Sequence, residues 1–159
     1  MKKLSLMMAL VLSLGTISTS IAAEEAAPKA PLPFSLAPQK FDGPRRMRLK
    51  ATLRLLKHAQ VTAKALQTCG GNSGAAQALD GFQARNGNTL RMLLNIIKNN
   101  GGLPPDIKAL LDREVAAGTK LLLREVDCLT LADQVAKNGR DLYKAPELAD
   151  DYALARSQP

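Results

Sequence analysis

Apolar residues recur three and four positions apart through most of this chain, the repeat of helices with one face against a core. In the first such stretch, Pro44 to Cys69, Leu49, Thr52, Leu53, Leu56, Ala59, Ala63 and Leu66 share one side when set at about 100° per residue. Arg46, Lys50, Arg54, Lys57 and Lys64 share another. Asp42 is placed to cap this helix and Pro44 suits its first turn, where a missing N–H costs nothing. Gly70-Gly71 ends it.

A second helix follows, with Asn72 or Ser73 as its cap and a stripe of Ala75, Leu79, Phe82, Asn86, Leu90, Leu93 and Ile97. The stripe runs unbroken through Gly81 and Gly87, so the spacing predicts one helix as far as Asn99-Asn100-Gly101-Gly102. A third helix begins at Pro104 or Pro105, with Asp106 in its positive first turn. Ile107, Leu110, Leu111, Val115, Gly118, Leu122, Leu129 and Ala132 form its apolar side, and Asn138-Gly139 ends it. Thr130 and Asp133 resemble a capping box, so a break near Cys128–Thr130 is an alternative to one long helix. The stretch "APELADDYALAR" predicts a short last helix. The fold expected is all-α: an antiparallel three-helix bundle over 44–138, then a tail over 139–159 with a short fourth helix. Composition agrees, since tryptophan is absent and aromatics make up only 3% of the chain.

The N-terminus changes the picture of where the protein works. Lys2-Lys3, an apolar run from Leu4 to Ile17 and small residues at Ser20, Ala22 and Ala23 have the layout of a cleavable secretory signal over 1–23. The run is shorter than the ~20 residues that span a bilayer. Four prolines between 24 and 43 predict an extended arm that leads into the first helix. An exported chain with two cysteines, Cys69 and Cys128, is expected to join them. The helix stops support this independently. Pairing position 98 with 104 across the second turn sets 74 level with 128, and 74 lies just across the first turn from Cys69. The bridge would link the first and third helices, and closing a loop of about 60 residues contributes roughly 4 kcal/mol.

Candidate chemistry is sparse. His58 is the only histidine, and with the cysteines bridged no soft-ligand metal set remains, so neither metal nor cofactor is expected. There is no phosphate loop, nucleophile elbow or zinc-protease motif. Glu114 and Glu125 stand about 16 Å apart along a helix, too far to act as a paired acid and base. They are expected instead to meet Arg85, Arg91 or Arg113. An enzyme is not the expectation.

Charge is the one functional signal. The chain's net charge is +8, and the first helix alone holds Arg45, Arg46, Arg48, Lys50, Arg54, Lys57 and Lys64 with no acid. Arg45, Arg46 and Arg48 crowd its first turn, where the helix dipole is already positive and each cation costs about 0.3–1 kcal/mol. Three partners would compensate. One is internal, with Glu147, Asp150 and Asp151 of the tail folded back. One is an anionic component of the envelope. One is an acidic protein partner. Nucleic acid is disfavoured, because no aromatics are interleaved for base stacking and export separates the protein from it. The expectation is a periplasmic or secreted binding protein that uses this face, with a periplasmic protein-interaction module, an inhibitor, chaperone-like or accessory subunit, as the alternative.

Overall fold

The computed structural model describes residues 43–71 and 73–157. The expected signal segment, the proline-rich arm as far as position 42, the Asp42 cap and Asn72 lie outside the described residues. Five α-helices are present among those described: α1 (Gly43–Thr68), α2 (Ser73–Asn99), α3 (Pro105–Glu125), α4 (Cys128–Ala136) and α5 (Ala149–Arg156). A 3-10 turn, Pro146–Leu148, precedes α5. The all-helical bundle read from the apolar periodicity is the fold observed, and α2 runs without a break through Gly81 and Gly87.

The expected third helix is two. Val126 turns extended (φ −133°, ψ 126°), and Asp127 starts α4 by accepting from the backbone N–H groups of Leu129 and Thr130. The Thr130 hydroxyl also donates to Asp127, at 2.7 Å. These hydrogen bonds, those from Thr130 foremost, hold the Asp127 carboxyl below its usual range. Restarting the helix turns its apolar side, so Leu129, expected inside, is 70% exposed. Leu131, Ala132 and Val135 are buried instead.

Helix α1 is the element most of the molecule shares: α2, α3 and α5 each pack on it, and α4 packs mainly on α2. Its buried set is accordingly wider than one stripe. Leu49, Thr52, Leu53, Leu56, Ala59 and Leu66 are covered as the periodicity requires, but so are Ala51, Leu55, Val61, Thr62 and Ala65. Helices α1 and α3 run parallel in register, with Lys57 beside Glu114 and Val61 beside Gly118. A Cβ on Gly118 would stand 3.0 Å from a Val61 methyl, so this glycine permits the close approach of the two helices. At the same end, Cys69 and Cys128 are bonded, with their Cα atoms 5.6 Å apart. The bridge joins the ends of α1 and the α3–α4 run, where the helix stops had placed it, and closes 59 residues of chain.

Candidate anion-binding face of the first helix

The helix repeat sets Arg46, Lys50, Arg54 and Lys57 within an arc of about 80° on α1, along about 16 Å of its length. This side is bounded by acids from two neighbours. Lys57 donates to Glu114 of α3 at 2.8 Å. Arg54 donates to Asp151 of α5 at 3.2 Å. Glu114 therefore meets α1 rather than the arginines expected for it. Lys50 is half-buried and Lys64 exposed, and neither makes an ion pair among the described residues. Arg46 is half-buried, and its Nε is enclosed without a hydrogen-bond partner among the described residues. Met47, in the same turn, is 55% exposed.

The other expected cations point elsewhere. Arg45 is exposed and has an interaction of its own. Arg48 donates to the carbonyl of Ala155 at 3.1 Å, near the C-terminal end of α5. That end is the negative pole of α5, where a cation is favoured. Of the seven cations, α5 thus engages two and α3 one.

Helix α5 is positioned by the chain that leads to it, and this is the part sequence reasoning missed. Asp141 is fully buried and receives two bonds from Arg85, Nε at 2.8 Å and Nη2 at 3.2 Å. Asn86, also fully buried, donates to Asp141 at 3.0 Å and accepts from the backbone N–H of Leu142 at 2.9 Å. Arg85 further donates to the Val135 carbonyl at 2.6 Å. Gly81, one turn before Arg85, leaves the space its guanidinium occupies, since a Cβ there would stand 2.9 Å from Nη1. Asn86 in the middle of an apolar stripe was the available signal, because a buried amide requires partners.

His58, next to Lys57 on α1, is half-buried, and its Nε2 donates to the Arg140 carbonyl at 3.2 Å. Arg140 in turn donates to the hydroxyl of Thr62, itself fully buried, at 3.0 Å. Burial, and then the Arg140 charge, hold the His58 imidazole below its ordinary pKa of 6.5.

No group of three or more histidine, cysteine, aspartate or glutamate side chains is arranged to hold a metal ion among the described residues. No helix among the described residues is long and apolar enough to cross a membrane. Comparison with models of known protein families, with curated proteins and with solved structures finds no match to this chain.

Proposed function

We propose that this is an exported, non-enzymatic binding protein that engages an anionic component of the cell envelope, in the periplasm or outside the cell, through the cationic side of α1. One observation carries the reading. The helix on which α2, α3 and α5 all pack contains seven cations and no acid, three of them at its own positive pole. A helix selected only to hold a bundle would place acids in that first turn. Clustered cations along one side provide the potential that draws anionic surfaces. The disulfide supports an oxidising compartment, in keeping with the signal-like N-terminus.

The test is binding to vesicles of phosphatidylglycerol against vesicles of phosphatidylcholine over a salt series. The expected result is binding to the first alone, weakening as salt rises, and reduced in an Arg46→Gln/Lys50→Gln/Lys64→Gln variant. Binding indifferent to lipid charge or to salt would overturn the reading. A second reading, an acidic protein helix laid along α1, is favoured by the way α5 already lies there. Recovery of one stoichiometric acidic partner from the native envelope, without vesicle binding, would select it.

A further inference from the structure

Helix α5 is short, acidic at its start and laid antiparallel along the N-terminal half of α1, with Asp151 at Arg54 and the Ala155 carbonyl at Arg48. It satisfies two of the cations with the kind of group a lipid headgroup would offer, an anionic or strongly polar oxygen. Two exposed acids, Glu147 and Asp150, stand beside this contact and lower the local positive potential further. From these contacts we infer that α5 is a displaceable internal ligand, which competes with an anionic lipid surface for the cationic side of α1. The inference rests on the anion-binding reading above.

Three features make α5 separable from the bundle. Few of its side chains are buried: from Pro146 to Arg156 only Leu148, Asp151 and Ala155 are, with Tyr152 partly packed against the core. Eight residues are too few to sustain a helix without packing, so α5 belongs to the least stable part of the fold. The chain before it is fixed at Asp141 and Leu142, both fully buried, so α5 can leave without dragging α4 away from α2. Departure would free Arg54 on the cationic side, and Arg48 beyond it, and take the carboxylate of Asp151 away from that side. By linkage, whatever α5 takes from the affinity for lipid, bound lipid takes from the docking of α5.

Two measurements test this. The first compares binding of the wild-type protein and a Glu147→Gln/Asp150→Asn/Asp151→Asn variant to phosphatidylglycerol vesicles, with circular dichroism confirming that the bundle is retained. The variant is expected to bind about tenfold more tightly. The double variant Glu147→Gln/Asp150→Asn alters only exposed acids, keeps the Arg54 pair, and should show a smaller gain in the same direction. The second follows backbone hydrogen exchange in the wild-type protein. Adding the vesicles should speed exchange across Ala149–Arg156 while α1 to α4 stay protected. Equal or weaker binding by both variants, or α5 as well protected with lipid as without it, overturns the inference while leaving anion binding intact. If neither wild-type nor variant binds the vesicles, the anion-binding reading falls and the inference with it.

Discussion

Two arginine–aspartate pairs hold the segment after α4 to the rest of the molecule, and they are built in opposite ways. In the pair between Arg85 and Asp141 the carboxylate has no exposure, two bonds come from one guanidinium, and Asn86 fills a remaining lone pair. In the pair between Arg54 and Asp151 there is one bond, and although the carboxylate is 12% exposed the arginine side chain is 69% exposed. The residue types are the same, yet their consequences differ. A buried carboxylate stripped of water must keep every partner, so the first pair is an anchor. A cation that water can reach loses little when its partner leaves, so the second is an exchangeable contact. An anchor followed closely by an exchangeable contact is the arrangement a hinged cover requires.

The contrast is broken most severely at the anchor. Asp141→Ala would leave Arg85 half-buried without its counter-charge and Asn86 without one acceptor, and is expected to cost about 3–5 kcal/mol. Urea denaturation followed by circular dichroism measures this, and a loss below about 1 kcal/mol would mean that the network is not what holds the 138–145 segment.

Acid probes the seam between the two pairs, where His58 meets the Arg140 carbonyl next to the anchor. The charged groups set against His58 from the facing segment are Arg140 and Glu147. On α1 itself, Arg54 lies one turn before it, already paired with Asp151. Because the folded state lowers the His58 pKa, it binds fewer protons than the unfolded chain at the same pH. This contribution is therefore whole above 6.5, declines as pH falls below 6.5, and is fully lost below the folded-state pKa. His58→Gln keeps a donor for the carbonyl and removes the titration. The variant should flatten the fall in urea midpoint between about pH 7.5 and pH 5, and an unchanged slope would assign the acid response to carboxylates instead.

The smallest effect belongs to the pair with the exposed arginine. Arg54→Ala is expected to change stability by less than about 1 kcal/mol while measurably raising hydrogen exchange in α5. A loss as large as that of Asp141→Ala would erase the distinction between anchor and cover.

Legibility in the sequence followed the range of the interactions. The bounds of α2 and the stop of α1 were readable because apolar spacing and glycines act within a few residues. The bridge between Cys69 and Cys128 was readable because helix stops set which ends meet. The division of α3 from α4 was half-legible: a cap was recognised near Thr130, but the residue that makes it is Asp127. The burial of His58 and the pairing of Arg85 with Asp141 were not legible, since they join positions more than fifty residues apart in sequence through a loop that has no period of its own.

What the sequence determined by itself was therefore the helical class, the stop of α1 and the bounds of α2, the bridge and an excess of cations on one helix. All of these follow from local periodicity, capping and composition. Tertiary structure alone decided that this basic helix lies at the centre of the packing, which of its cations are held by α3 and α5, and that a buried carboxylate anchors the segment leading to α5. Those outcomes depend on which surfaces meet and how much water remains between them, and the burial of a charge has no signature along the chain until its partners are brought around it.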